Sequence, residues 1–365
     1  MMKEGWVRKK IKDICDKASS NIVQNKVMDN NGDYPLYGAS GFVKCLDFYH
    51  RDEPYIGIVK DGSGVGRVNV YPAYSSLVGT MQYVIPKNGF LLGYIKYVLQ
   101  SLNLAHFASG AAIPHIYFKD YGECTVLIPP LSEQESIVAE LDKLNEILAK
   151  KQEQLKELER LGLAIFYDMF GDPILNEKNW EMVPFSYVGT FGRGVSKHRP
   201  RNAEKLLGGT VPLIQTGDVA RANMYITEYV STYSEFGVAQ SKIWKSGTLC
   251  ITIAATIGKC AILTFDACFP DSVVGFVANS RVCNEYVYYI FGSIQGVLEE
   301  NAPAVAQKNI NLATLNALKI PLPPLDAQKE FVNKILRIEK QKQKIKQSIV
   351  EVQQLLDYTM NKYFG

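Results

Sequence analysis

The sequence predicts an α+β protein built from two domains with twisted β-sheets and two long helices that pair as an antiparallel coiled coil. Three observations lead to this fold class. The motif Pro-Pro-Leu-x-x-Gln occurs at residues 129–134 and again at residues 323–328, at an offset of 194 residues. Each copy opens a helical pattern, and each follows a segment rich in β-branched and aromatic residues. A repeat over so long a period indicates two equivalent modules, each a globular segment followed by a helical arm.

The helical arms carry the apolar seam of a coiled coil, with spacings that alternate between four and three residues. The seam residues are Ile137, Leu141, Leu144, Leu148, Leu155, Leu158 and Ile165 in the first arm, and Phe331, Ile335, Ile338, Ile345, Ile349, Val352 and Leu356 in the second. Residues 132–170 carry nine acids and five bases, whereas residues 326–365 carry eight bases and five acids. The arms should therefore attract each other, while burial of the seam provides the stability.

The globular segments repeat the same elements more loosely. Each has a strand, a glycine turn with a cation and a second strand, and the turn cations are Arg67 and Lys259. A helical segment follows in both, with Tyr94 and Tyr288 again 194 residues apart. The predicted organisation is a first globular domain at residues 1–130, a first arm at 131–171, a second globular domain at 172–324 and a second arm at 325–365.

Composition restricts the class of protein. A hydrophobic content of 47% can bury real cores, and the start of the chain lacks the apolar run of a signal peptide. The seven cysteines are odd in number and form no CxxC pair, which argues against a disulfide framework or a zinc site and favours the cytoplasm. No segment is typical of a membrane span. A net charge of +3 is weakly basic, so any surface for nucleic acid must be local or completed by a partner.

A basic loop is the strongest local signal for a ligand. Residues 193–201 contain four permanent cations, and glycines beside them let backbone amides approach phosphate closely. The candidate contacts in this loop are Arg193, Ser196, Lys197, His198, Arg199 and Arg201. Downstream, Gln215 and Thr216 precede Asp218; an amide here could read adenine, and the carboxylate could accept a hydrogen bond from cytosine. A solvated loop without a ligand is the alternative for the basic segment.

Other candidate contacts lie in the repeated turns. Lys60 and Ser63 belong to a glycine loop that, with the turn cations Arg67 and Lys259, could grip backbone phosphates. Lys308 and Asn309 match Pro114 and His115 at the same offset of 194, which suggests a repeated contact loop. Hairpin turns with solvated cations, and a purely structural loop, remain open as alternatives.

The sequence contains few signs of catalysis. It has no GxxxxGK[ST] phosphate loop, no HExxH and no GxSxG, and its four histidines are scattered singly. Asp172 and the pair Glu177-Lys178 superficially suggest a nuclease, but the residue between acid and lysine is missing. We interpret the chain as a recogniser.

The repeated motif, the Phe-Gly-Asp-Pro at residues 170–173 and the tryptophans Trp6 and Trp180 near the starts of the halves resemble the specificity (S) subunits of type I restriction-modification enzymes. The resemblance covers nearly the whole chain. It implies that the globular segments are target-recognition domains and the arms are spacer helices. The basic loop with Gln215, Thr216 and Asp218 is similar to one common class of recognition domain.

The resemblance also implies a function. Such a subunit recognises a split site in double-stranded DNA, each domain reading one half-site, and performs no chemistry itself. It binds no cofactor directly. Two methyltransferase (M) subunits dock on it and use S-adenosylmethionine to modify adenine, and a motor (R) subunit using ATP and Mg²⁺ adds cleavage. The rival from another class is a coiled-coil scaffold that binds proteins or glycans.

Overall fold

The structure is a computed structural model that describes residues 5–110, 113–253, 258–300 and 312–365. The chain divides into two compact units. Unit 1 comprises Met1–Glu153 together with Lys346–Gly365, and unit 2 comprises Gln154–Ile345. Each unit therefore contains one globular segment and parts of both helical arms.

Unit 1 contains short strands, three short helices and the start of a long one. The strands are β1 (Val7–Lys10), β2 (Cys15–Ser19), β3 (Tyr34–Gly38), β4 (Gly41–Leu46), β5 (Tyr55–Val59), β6 (Val68–Tyr71), β7 (Ser76–Leu77), β8 (Met81–Pro86) and β9 (Thr125–Ile128). The helices are α1 (Ile11–Ile14), α2 (Leu92–Ser101), α3 (Phe118–Tyr121) and α4 (Leu131–Phe170), of which α4 continues into unit 2.

The central sheet of unit 1 has the order β2-β8-β5-β6 and is antiparallel throughout. All five residues of β5 are buried, as expected for a strand that reads as one apolar run between two neighbours. A second sheet, β4-β3-β7, includes the parallel pair β3–β7, and β1 pairs with β9. Helix α2 packs with the central sheet and with Ile137 and Leu141 of α4 in one core.

Unit 2 repeats this arrangement with longer connections. Its strands are β10 (Met182–Pro184), β11 (Gly189–Arg193), β12 (Leu207–Leu213), β13 (Tyr225–Ile226), β14 (Ser231–Tyr233), β15 (Ile243–Trp244), β16 (Leu249–Thr252), β17 (Cys260–Leu263), β18 (Ala267–Cys268), β19 (Val273–Ala278) and β20 (Lys319–Pro321). Its helices are α5 (Phe185–Val188), α6 (Thr216–Arg221), α7 (Glu235–Ala239), α8 (Asn284–Glu300), α9 (Leu312–Ala317) and α10 (Leu325–Phe364), the last of which continues into unit 1.

The central sheet of unit 2 has the order β11-β19-β16-β17-β13, and a second sheet has the order β14-β12-β18-β15. The strand pairs β11–β19 and β19–β16 correspond to β2–β8 and β8–β5 of unit 1. All four pairs are antiparallel, and in each unit the shared strand, β19 or β8, lies between the other two. The parallel pair β12–β18 corresponds to β3–β7. The duplication inferred from the sequence is therefore present in the sheet topology.

The long helices α4 and α10 pack against each other in an antiparallel sense. Within unit 1, Leu356 and Met360 near the end of α10 join the core that contains the start of α4. Within unit 2, Phe331 near the start of α10 contacts Phe166 and Phe170 near the end of α4, with ring centroids 5.8 Å and 5.3 Å away. The predicted fold class is confirmed. None of the helices in the described ranges is long and apolar enough to cross a membrane.

The seam contains a buried cation, and the ends of the arms make a contact that reflects their difference in charge. Lys342 of α10 is buried and pairs with Glu339 of the same helix at 2.7 Å. Between the helices, the Tyr363 hydroxyl donates to Glu140 Oε2 at 2.6 Å, and Lys362 Nζ lies 3.9 Å from the same carboxylate. The opposite charges of the arms therefore meet directly where the end of α10 passes the start of α4.

The structure corrects one detail of the repeat. Tyr94 of α2 donates its hydroxyl proton to the Leu127 carbonyl at 2.8 Å, and Tyr286 of α8 donates to the Pro321 carbonyl at 2.9 Å. Tyr286 is thus the counterpart of Tyr94. The predicted match with Tyr288 was wrong, because the offset of 194 residues that holds in the arms falls to 192 in the preceding helix.

Candidate nucleic-acid interface

The candidate contacts cluster at one end of the central sheet in each unit, which we call the hairpin end. It is the end at which β5 turns into β6 in unit 1 and β16 turns into β17 in unit 2. The backbone N–H of Val59 donates to the Arg67 carbonyl at 3.0 Å, and that of Thr252 donates to the Lys259 carbonyl at 2.8 Å. Arg67 and Lys259 therefore occupy the same position of equivalent hairpins.

In unit 1, the glycine loop is joined to the segment around His115. The Gly62 N–H donates to the Pro114 carbonyl at 3.0 Å, and the Ile116 N–H donates to the Lys60 carbonyl at 3.0 Å. The His115 ring also contacts the Asp61 carboxylate through Nδ1. Two segments more than fifty residues apart in sequence thus form a single surface.

Side chains of several kinds are presented on this surface. Ser63 and Arg67 are exposed, and the Arg67 Nε–H donates to the Gly64 carbonyl at 3.3 Å. The His115 ring lies 4.1 Å from the ring of Tyr117 between centroids, and Lys119 Nζ lies 5.2 Å from the Tyr117 ring centroid. Cations interleaved with an exposed aromatic ring are typical of surfaces that bind nucleic acid.

In unit 2, the basic loop starts at the same end of the sheet. Arg193 is the last residue of β11, and the following backbone is held by two hydrogen bonds, Gly194 N–H to the Val273 carbonyl at 2.9 Å and Val195 N–H to the Phe269 carbonyl at 3.1 Å. Farther along, Gln240 Oε1 accepts from the N–H groups of Lys197 and His198 at 2.6 Å and 2.9 Å. The loop is therefore fixed through its backbone.

The arginines of this loop converge on a single acidic residue. Arg193 Nε–H donates to the backbone carbonyl of Asp271 at 2.6 Å. The Asp271 carboxylate pairs with Arg201 and, at 3.5 Å, with Arg199. Lys197 is exposed, whereas Ser196 is buried, and its Oγ has no hydrogen-bond partner among the described residues. Of the predicted contacts in the loop, Ser196 is thus the one whose side chain faces the interior.

The basic loop lies beside Gln215, Thr216 and Asp218. The Ile214 N–H donates to the carbonyl of Cys268, and the next residue, Phe269, accepts from Val195 of the loop. Gln215 and Asp218 form a capping box at the start of α6. The Gln215 N–H donates to Asp218 Oδ2 at 2.8 Å, and Arg221 Nη2 donates to Oδ1 at 2.5 Å. The Asp218 carboxylate thus has two partners within the chain. Base reading by these residues stays a prediction.

The structure brings together most of the predicted contacts within each unit. Lys308 and Asn309 lie outside the described residues. It also places three residues at the hairpin end that the sequence did not single out: Asp271, Gln240 and Phe42. Strand β3 runs parallel to β7, toward Thr80. Phe42 follows the turn after β3, and its side chain is 63% exposed. A glycine on each side of that turn, Gly38 and Gly41, was the signal available in the sequence.

No three His, Cys, Asp or Glu side chains among the described residues converge in a way that could hold a metal ion. All seven cysteines are free thiols, and burial raises the pKa of Cys15 and of Cys260 to about 12, so both thiols stay protonated at neutral pH. The chemistry of the hairpin ends is that of charge, hydrogen bonding and aromatic contact.

Comparison with known protein families gives an independent view of the chain. A profile of the family described as type I restriction modification DNA specificity domain matches residues 3–160 and 177–354. The chain is 23% identical over 249 residues to the specificity subunit of the type I restriction enzyme MjaX of Methanocaldococcus jannaschii, covering 63% of this chain and 57% of the relative. It thus spans little more than half of that relative's length. A type I specificity subunit of Haemophilus influenzae is 23% identical over 318 residues, covering 83% of this chain and 79% of that relative.

Two solved structures share the fold. The crystal structure of the S subunit of a type I restriction-modification system from M. genitalium has a TM-score of 0.65 at 14% identity, covering 99% of this chain and 96% of that one. A chain from a study of complex assembly and conformational transition of a type I system has a TM-score of 0.59 at 16% identity, covering 100% and 98%. At these identities the likeness establishes the fold.

Proposed function

The chain belongs to the family of type I restriction-modification DNA specificity domains, and we propose on this premise that it recognises a bipartite site in double-stranded DNA. Each globular domain reads one half-site, and the paired helices α4 and α10 set the unread gap between the half-sites. The chain itself is a non-catalytic subunit, as the names of its relatives indicate.

One observation supports this proposal above the others. Units 1 and 2 carry cationic loops at the topologically equivalent end of their central sheets, and the two ends differ in detail. Unit 1 combines Lys60, Arg67 and His115 with exposed aromatic rings, whereas unit 2 carries the arginine-rich loop 193–201. Equivalent placement with different side chains is what two domains that read different sequences require.

The proposal includes partners for the chemistry. Two M subunits would dock on this chain and use S-adenosylmethionine to methylate adenine, and R subunits would add cleavage driven by ATP with Mg²⁺. The weak net charge of +3 fits such an assembly, because partner subunits would share the neutralisation of DNA phosphates. The free thiols fit a reducing compartment, the cytoplasm. The scaffold alternative is not favoured, since the family and the relatives are all DNA specificity subunits.

Mapping methylated adenines on DNA treated with the assembled M–S complex tests the proposal. We expect every modified site to consist of two short defined sequences separated by a gap of constant length. Modified sites that are contiguous, or that depend on one domain only, would contradict bipartite recognition.

Two engineered chains test the assignment of domains and arms. Replacing residues 172–322 by those of a relative should change one half-site and leave the other unchanged; a change in both would show that the halves are not read independently. Deleting about seven residues from an arm should alter the tolerated gap. An unchanged gap would remove the spacer role of the helices.

A further inference from the structure

Asp271 stands at the centre of a cationic cluster in unit 2. Its carboxylate contacts Arg201 and Arg199, and its backbone carbonyl accepts from Arg193 at 2.6 Å. One carboxylate cannot neutralise three guanidinium groups, so the cluster keeps a net positive charge. The Asp271 side chain is 33% exposed, so this partly open ion pair contributes little to the stability of the domain.

The hydrogen bonds distinguish the three arginines. Arg199 uses Nη1 for the carbonyls of Ser196 and His198, at 2.5 Å and 2.9 Å, and Nη2 for Asp271. Its donors are largely spent within the loop. Arg193 uses only Nε, which leaves the pair Nη1 and Nη2 without a partner among the described residues. Arg201 uses Nη2 alone. Arg193 and Arg201 are thus held in place with donors to spare, and Arg199 serves the loop itself.

A held guanidinium with a complete Nη1–Nη2 edge is the group that pairs with O6 and N7 of guanine in the major groove. A free arginine on a surface samples many rotamers and contacts phosphate and base alike, whereas a tethered one presents its donors in a fixed direction. In unit 2, Arg193 keeps the complete Nη1–Nη2 edge, and Arg201 keeps Nε and Nη1 for a DNA contact.

We propose that Asp271 is a positioning residue for recognition, whose carboxylate directs Arg201 and whose backbone carbonyl directs Arg193 toward guanine in the half-site read by the second domain. The inference rests on the proposed function and adds to it a base class and a residue that touches no DNA. Asp271 would therefore oppose DNA binding by its charge and yet raise sequence discrimination by its geometry.

The variant Asp271→Ala in the assembled M–S complex tests this role, with Asp266→Ala as the matched control. Asp266 is an acid of the same unit that pairs with Lys245 at 2.8 Å, beyond the other end of β17. Both variants add one unit of positive charge. Asp271→Ala removes the carboxylate that holds Arg201 and keeps the backbone carbonyl that holds Arg193. We therefore expect binding to nonspecific DNA to strengthen, while discrimination against a changed guanine in the second half-site falls by about tenfold through the release of Arg201. Discrimination in the first half-site should not change, and Asp266→Ala should keep the discrimination in both half-sites.

A second variant makes the geometry explicit. Arg193→Lys keeps the charge but loses the paired donors, so it should lower the same discrimination without lowering the salt dependence of binding. The positioning role is overturned if Asp271→Ala keeps discrimination within about twofold, loses it equally in both half-sites or behaves as Asp266→Ala does. A second half-site without guanine also overturns it. A wild-type complex without any split preference would instead overturn the proposed function itself.

Discussion

The side-chain oxygen of Gln134 accepts a hydrogen bond from the backbone N–H of Leu91 at 3.0 Å, and its NH₂ group donates to the Pro129 carbonyl at 3.0 Å. Gln328 accepts in the same way from the N–H of Cys283 at 2.9 Å. Both glutamines are buried. Since Leu91 and Cys283 immediately precede α2 and α8, each glutamine ties the start of a long arm to the start of a domain helix. The glutamine of the repeated motif is therefore the joint of each module.

Replacing Gln134 by alanine should lower the free energy of unfolding by about 1–3 kcal/mol, because the partly buried Leu91 N–H and the buried Pro129 carbonyl would lose this partner. Gln328→Ala should have an effect of similar size in the second module. Urea unfolding followed by circular dichroism measures both. Gln152→Ala, an exposed glutamine in the middle of α4, is the control and should stay within about 0.5 kcal/mol of wild type. Equal losses in all three variants would show that the joint has no special role.

The elements that local pattern defines could be predicted from the sequence. The arms could be predicted because a coiled-coil seam is a property of neighbouring residues. The turn cations Arg67 and Lys259 could be predicted because a glycine turn also depends on neighbouring residues. The partner of Gln134 could not, since Leu91 lies 43 residues away and is reached only when α2 packs on α4. The two-residue difference that makes Tyr286 the counterpart of Tyr94 is equally hidden, because it arises in connections of irregular length.

The candidate site divides in the same way. The basic loop could be located by composition alone, but its organisation by Asp271 could not, because that residue is 70 positions downstream of Arg201. The capping role of Asp218 could be predicted from the sequence. An acid three residues after a polar side chain is a recognised signal for the start of a helix, and Gln215 and Asp218 form such a capping box.

Gly275 of β19 should not tolerate alanine. A Cβ atom there would lie 2.6 Å from carbons of the Trp244 ring and 2.9 Å from the Phe269 ring, and both rings are buried. We expect Gly275→Ala to lower the free energy of unfolding by about 1–3 kcal/mol through overpacking. Tryptophan fluorescence of the unfolding transition measures it.

Gly292 is the matched opposite. It is exposed within α8, and a Cβ atom there would meet no atom within 4 Å. Gly292→Ala should therefore stabilise the protein by about 0.5–1 kcal/mol, the usual gain of alanine over glycine inside a helix. Both variants add one methyl group, and the opposite signs of their effects separate close packing from backbone entropy. A loss of stability in both would argue against the open space beside Gly292.

Alkaline pH should weaken the fold because of buried thiols. Burial raises the pKa of Cys15 and of Cys260 to about 12, whereas a thiol in the unfolded chain ionises near pH 8.5. Between these values the unfolded state has released its proton and the folded state has not, so stability falls as pH rises. The limiting slope is about 1.4 kcal/mol per pH unit for each thiol. Urea unfolding under reducing conditions at pH 8, 9 and 10 measures it.

The double variant Cys15→Ala, Cys260→Ala isolates this effect, because it removes both thiols and should show a shallower fall over the same pH range. Burial also raises the pKa of the Cys250 thiol, which the double variant keeps and which should leave a smaller fall over the same pH range. The raised pKa of Tyr94 and Tyr286 should add to that fall above about pH 10. Unfolding free energies that stay constant from pH 8 to pH 10 in the wild-type protein would contradict the burial of these thiols.

Lys197 should contribute to DNA binding through charge and not through stability. Its side chain is exposed, and the loop that carries it is fixed through backbone contacts to Gln240, which alanine at position 197 would keep. In the assembled complex, Lys197→Ala should weaken binding for all sequences and lower the slope of log K against log salt by about 1. Lys245→Ala removes the same charge at the other end of the sheet, where Lys245 pairs with Asp266. If only Lys197→Ala lowers the slope, the hairpin end of unit 2 contacts DNA phosphates. If both variants lower the slope equally, the hairpin end does not contact DNA in preference to the other end of the sheet.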